Sequence, residues 1–179
     1  MAGTNANVII EKPQGVFYAD VATAAPTIAG TVGGTVDMSG WTDVGFYDPE
    51  GKIKISFGAN VRKIRPGGME GNLKAIATQK MATIEFSGIE DVIDAMKLAL
   101  NGSSDSGAIS DGGDGELGYV ALIIVTTNVV YHFKKVAPNH ELAKEISDTE
   151  ESKTPFVLET YVEEAATAGE RQWKITSRA

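Results

Sequence analysis

At 179 residues the chain is long enough for one domain with a sizeable core. It is 42% hydrophobic and 22% charged and has no cysteine, which fits a globular protein and excludes disulfide frameworks, cysteine nucleophiles and thiolate metal sites. Its net charge of −8 opposes binding to nucleic-acid phosphates, and its longest apolar run, Tyr119 to Val125, is too short to span a bilayer.

The N-terminal residues, MAGTNANVIIEKP, lack a basic stretch followed by a long apolar one, so no signal peptide is expected. Residues 1–40 are rich in Ala, Gly and Thr. They predict one short strand, Gly15 to Ala19, followed by an extended arm or long loop. The glycine-rich Gly30-Thr31-Val32-Gly33-Gly34 has no helix after it to receive a phosphate. Trp41 to Tyr47 then reads as a strand, and Asp48-Pro49-Glu50-Gly51 suits a type I turn. A second strand follows with Ile53, Ile55 and Phe57 on its core face, which makes 41–57 a predicted hairpin. Gly58-Ala59-Asn60 marks a bulge or kink, with Val61 to Ile64 continuing the pairing beyond it. Arg65-Pro66-Gly67-Gly68 breaks the pattern, and the whole of 58–80 is expected as a long basic loop.

Met81 to Leu100 combines two periods. Ala82, Ile84 and Phe86 alternate with Met81, Thr83 and Glu85, as in a half-buried strand. Ile89, Val92, Ile93, Met96 and Leu100 then form a helical apolar stripe. Ser87 and Glu90 fit a capping box, and Asn101-Gly102 a left-handed stop, so a helix is predicted over 87–101. The Gly/Ser/Asp stretch after it holds Asp111, Asp114 and Glu116. It lacks the alternate-position acids of a calcium loop and reads as a surface loop.

Tyr119 to Thr127 is apolar on both faces and reads as a central strand, turned by Thr127-Asn128 into Val129 to Val136. There Val129, Tyr131 and Phe133 share one face, and His132 and Lys134 the other. His132 and His140 have no acid at ligand spacing and are read as surface or rim residues. Phe156, Leu158, Thr160 and Val162 define another half-buried strand, and Gln172 to Thr176 a last edge strand or tail. No nucleophile elbow, Walker loop or zinc motif is present, so the sequence gives no reason to expect an enzyme, and no cofactor or metal site is expected.

The charge is unevenly spread. Residues 52–80 carry seven Lys and Arg against Glu70, a net of +6, whereas 88–118 and 141–170 are strongly acidic. Two readings of this asymmetry stand: solvated loops with chance clustering, or a head-to-tail interface between copies.

The order of these elements resembles the major tail tube protein of long non-contractile-tailed bacteriophages. The resemblance runs through GVFYA at 15–19, the Pro26-Thr27 loop, Trp41, Asp43-Val44-Gly45, Asp48, Glu50-Gly51 and Ile53. It continues through MATIEFSG at 81–88, the strand pair VALIIVTT and VVYHFKKV, and PFVLETYVEE after an acidic loop. It covers nearly the whole chain and rests on order and spacing more than on invariant residues.

The resemblance implies a single domain, mainly β (α+β), over 1–179: a two-sheet antiparallel sandwich or barrel with one flanking helix and an N-terminal arm. It implies a structural virion protein, not an enzyme, assembled in the host cytoplasm. Hexameric rings of this chain would stack head-to-tail into a tail tube, with tape-measure, tail-terminator and tail-tip proteins as partners. DNA would pass through the lumen without being bound, and no membrane is involved. Arg62, Lys63, Arg65, Lys74 and Lys80 then become candidates for inter-ring contact, and Glu85, Glu159 and Glu163 for the channel wall. The alternative is a β-sandwich receptor- or carbohydrate-binding module of a virion or cell surface.

Overall fold

The computed structural model describes residues 12–28, 35–45, 52–64, 74–88, 103–105, 108–110, 118–138, 153–162 and 172–178. They form ten strands: β1 (Pro13–Asp20), β2 (Thr42–Asp43), β3 (Lys54–Ile64), β4 (Lys74–Gly88), β5 (Ser103–Asp105), β6 (Ala108–Ser110), β7 (Val120–Thr126), β8 (Val129–Pro138), β9 (Thr154–Thr160) and β10 (Trp173–Ser177). Eight of them build one open antiparallel sheet in the order β2-β1-β7-β8-β9-β4-β3, with β10 on β8. β5 and β6 pair separately.

The strand with no polar residue before its last position dictates the layout. β7 sends Val120, Leu122 and Ile124 to one face and Ala121, Ile123 and Val125 to the other, so both faces need cover. On the first face lies the larger core. It gathers Val16, Val44, Ala82, Ile84, Phe86, Phe133, Val136, Phe156 and Leu158 around β7, with Ile53 and Ile55 packed against it. Strands from both ends of the sheet thus share one core. Phe86 and Phe156 are register partners, and their rings stack in offset fashion with centroids 4.6 Å apart.

The second face is covered by the segment expected as an extended arm. Trp41, Ile28, Val36 and Met38 lie over Ala19, Ala121, Ile123, Val125 and Val130. An isolated bridge joins Ile28 to Val36, and Asp37 N donates to the Thr27 carbonyl at 3.0 Å. Gly40, at φ 81°, holds the left-handed position of a tight turn closed by Trp41 N to the Met38 carbonyl, 2.9 Å, and this sets Trp41 onto the sheet. His132 belongs to this covered face. It is 8% exposed and meets Trp41 edge-on at 5.8 Å, so it is a packed residue and not a rim residue.

β8 changes partner along its length. Val129 to Phe133 pair with β10, and Val136 to Pro138 pair with β9. Lys134 and Lys135 together oppose Ala121 of β7, which is a bulge. Lys134 N donates to the Gln172 carbonyl and Lys135 O accepts from Tyr161 N, so the exchange takes two residues. The bulge also re-phases the strand: Tyr131 and Phe133 face the larger core before it, and Val136 after it. A second bulge frees Gln14 from the β1–β7 ladder, and its side chain accepts from the guanidinium of Arg178. Arg178 also donates to the Thr126 carbonyl, and its backbone N donates to the Asn128 carbonyl, which fastens the C-terminal strand to the β7–β8 turn.

Three expectations are corrected. Among the described residues the hairpin of 41–57 is not seen: β2 pairs with β1, and β3 pairs with β4, while 46–51 lie outside them. Local turn chemistry suggested a neighbour, but the long β3–β4 ladder provides far more backbone hydrogen bonds. Of the long basic loop expected over 58–80, residues 58–64 and 74–80 are instead a β-ribbon, because Val61 to Ile64 pair with Lys74 to Ala77; 65–73 lie outside the described residues. The expected bulge is present, with the extra residue on the partner: Gln79 and Lys80 oppose Ala59. The helix of 87–101 does not begin at Ser87, since Ser87 and Gly88 continue β4 opposite Pro155 and Thr154. No helix occurs among the described residues, and 89–101 lie outside them.

Phe156→Ala is expected to cost about 3–5 kcal/mol of stability, because it removes one ring of the stacked pair and leaves a cavity. Urea unfolding checks this, and Phe156→Leu should cost distinctly less.

Candidate functional site

β4 pairs with β9 only from Thr83 to Gly88, whereas it pairs with β3 from Lys74 to Glu85. Beyond Thr83 the two strands β3 and β4 therefore leave the sheet as a two-stranded ribbon. Thr160 caps the point of departure: its Oγ1 accepts from the buried N–H of Ala82 at 2.7 Å, where the β9 ladder has ended. A ribbon without a sheet beneath it cannot bury both its faces. Val61 is 55% exposed and Met81 43%, and Phe57, at 47%, rests only partly on Trp173, with ring centroids 5.2 Å apart.

The ribbon gathers the basic residues singled out in the sequence. Arg62 stands opposite Ile76, Lys63 opposite Ala75, and Lys74 opposite Ile64, while Lys80 sits in the bulge opposite Ala59. Lys63 and Lys80 are exposed. Arg65 lies outside the described residues, as does Glu163. Pairing thus brings Arg62, Lys63 and Lys74 within two register positions at the far end of the ribbon. Lys80 is set back by four strand positions, on the order of 13 Å.

Glu85 and Glu159 lie on the opposite surface of β4 and β9 from the larger core. Glu85 is the register partner of Val157 and Thr83 that of Glu159, so the two carboxylates are diagonal neighbours on adjacent strands. Glu85 is not a bare charge: Lys54 Nζ lies 2.8 Å from its Oε1, directly across the β3–β4 ladder. Both side chains are well exposed, so the pair contributes at most about 1 kcal/mol and weakens with salt.

An aromatic cluster stands beside Glu159. Tyr119 and Tyr161 meet edge-on at 5.2 Å, and Lys135 Nζ lies 4.2 Å above the Tyr119 ring. It forms where β8 changes partner, because the Lys135 carbonyl holds Tyr161 N. Partial burial, then the Glu159 charge, then Tyr119 raise the Tyr161 phenol above its ordinary value of 10.0. Neither this cluster nor the Lys54–Glu85 pair was visible in the sequence, since each joins residues from strands far apart in the chain. Among the described residues no group of three or more His, Asp or Glu could hold a metal ion. No protein-family model matches the chain, and no curated protein sequence matches it.

Two measurements test the geometry. Thr160→Val leaves the Ala82 N–H buried without its acceptor and should destabilise the protein by about 1–3 kcal/mol in chemical unfolding. In an alkaline titration followed by tyrosinate absorbance, Tyr161 should ionise later than an ordinary tyrosine, and Tyr161→Phe should remove that late phase. Burial is the largest cause, so Glu159→Gln should move the phase down only in small part. The sign follows from linkage. The folded state holds this proton more tightly, so the group leaves stability unchanged below the ordinary tyrosine range and lowers it once the unfolded chain ionises.

Proposed function

We propose that this chain is the subunit of a phage-type tail tube, assembling into hexameric rings that stack head-to-tail. The observation that carries the reading is the β3–β4 ribbon. It leaves the sheet at Thr160, displays Val61 and Met81 to solvent and concentrates positive charge in a chain whose net charge is −8. A surface of that kind suits a heterologous contact with another copy, in which apolar area is covered and opposite charges meet. In this reading Arg62, Lys63, Arg65, Lys74 and Lys80 serve ring stacking. The sheet folds over its larger core as a two-sheet sandwich, β2-β1-β7-β8-β10 facing β9-β4-β3.

The polar surface of β4 and β9 is the proposed channel wall, with Glu85 and Glu159 on it and Glu163 assigned there from sequence alone. Lys54 balances Glu85, so this stretch of wall is weakly charged, with Glu159 one diagonal step away. A weakly charged or acidic wall lets DNA pass, whereas a row of unpaired lysines would hold its phosphates. One observation favours a binding module instead: the half-exposed Phe57 against Trp173 offers an aromatic surface of the kind that packs on a sugar ring.

Negative-stain imaging of the purified protein separates the two. Rings or tubes support the tail-tube subunit, and a monomer that binds a glycan array supports the module. Replacing Arg62, Lys63 and Arg65 together by Glu should leave a folded subunit that makes few or short tubes. Tubes of normal length in that variant would overturn the role given to the ribbon.

A further inference from the structure

Tyr119 and Tyr161 come from positions far apart in the chain, yet their rings lie in contact, with centroids 5.2 Å apart. Both residues are half-buried, so each ring is partly packed and partly open to small solutes. The ends of strands hold the pair in place. Tyr119 immediately precedes β7, and Val120 beside it is the register partner of Asp20 on one side and Val136 on the other. Tyr161 immediately follows β9, and its N–H donates to the Lys135 carbonyl at 2.8 Å. Lys135 in turn sets its ammonium 4.2 Å above the Tyr119 ring.

Two phenols in contact can be joined covalently by oxidation. Loss of one electron and one proton from each leaves two phenoxyl radicals, which couple through ring carbons ortho to the hydroxyls. Overall, two ortho C–H bonds are lost and one C–C bond is gained. One hydrogen peroxide, acting through a peroxidase, takes up the two electrons and two protons and becomes two waters. The proton leaves with the electron, so neither ring passes through a cation beside Lys135. Burial and the Glu159 charge keep the Tyr161 phenol protonated, which suits that course. Radicals formed side by side couple with each other before they meet another copy.

The position gives such a bond a mechanical effect. β8 and β9 share only three register pairs, Val136 with Thr160, Ala137 with Glu159 and Pro138 with Leu158. The tyrosine contact lies beside this short ladder and ties the start of β7 to the end of β9. With no cysteine in the chain, a disulfide cannot reinforce the join.

We propose that Tyr119 and Tyr161 form an oxidative cross-linking site, where peroxide-driven oxidation makes a dityrosine staple between the start of β7 and the end of β9. This role does not depend on the tail-tube reading. To test it, the dilute, folded full chain is treated with a peroxidase and hydrogen peroxide. A parallel sample receives photolysed tris-bipyridyl ruthenium and persulfate, whose sulfate radical is small enough to reach half-buried rings. The expected product is a monomer two hydrogens lighter, with blue dityrosine fluorescence and a linked peptide pair holding Tyr119 and Tyr161. Tyr119→Phe and Tyr161→Phe each keep a ring in place and should each abolish that product, whereas Tyr131→Phe should not. In urea the Tyr119–Tyr161 link should fall several-fold, since contact in the fold selects the pair. The linked protein should melt at least about 5 °C higher, because a covalent tie between distant positions restricts the unfolded chain as a disulfide does. A link between other tyrosines, covalent dimers in place of the monomeric product, or no link with either oxidant would each overturn the site. An unchanged Tm of the linked monomer would overturn its role as a staple.

Discussion

β7 has no face that tolerates water, and the rest of the molecule is arranged around that fact. One side is met by the strands of β4 and β9, whose alternating residues turn Ile84, Phe86, Phe156 and Leu158 inward. The other side is met without any further sheet. A loop carrying Trp41, Met38 and Ile28 folds back over Ala121, Ile123 and Val125, pinned by one bridge and one tight turn. Covering a strand on one side with residues of β4 and β9 and on the other with irregular chain explains why Gly40 and the Asp37 carboxylate that accepts from Ser39 N belong to the core's architecture although neither is buried in it.

The two lysines at the β8 bulge solve a different problem. A single strand serves β10 and β9 in succession only if its hydrogen-bonding edge is handed over without leaving buried amides unmatched. Lys134 gives its N–H to one neighbour and Lys135 its carbonyl to the other. The same two residues shift the side-chain phase, so that core residues continue on the correct face. Both side chains are half-buried, and that of Lys135 settles over Tyr119. At Thr160 a hydroxyl does comparable work, replacing the ladder partner that Ala82 would otherwise lack.

Much of this was legible in the sequence where the signal is local. Alternation placed Ala82, Ile84 and Phe86 inside, the apolar run marked β7 as central, and Thr127-Asn128 was read correctly as a turn. The failures share a cause: sequence patterns announce strands but not their partners. Asp48-Pro49-Glu50-Gly51 points to a hairpin between the strands on either side of it, yet β3 finds its mate beyond the nine residues that follow it. The stretch at 74–80 carries no strong period in the sequence, and its place in β4 comes from its pairing with β3. His132 reads as a surface or rim residue because it shares a strand face with Lys134 and has no acid at ligand spacing, while in the structure it packs against Trp41, ninety-one residues upstream. Of the proposed site residues, the basic group was found by counting charge, but its collection onto one ribbon could come only from register.

The way the ribbon departs also governs how the protein can change. Past Thr160 neither strand touches β9, so residues added or removed in matched pairs near its tip would lengthen or shorten the projection and leave every core contact in place. A single-residue change there would exchange which side chains face which way along the projection. At Lys134–Lys135 even one extra residue would turn Phe133 or Val136 out of the core. Reach is thus an adjustable quantity in this fold, graduated in steps of two residues, while the bulge in β8 admits no change of length.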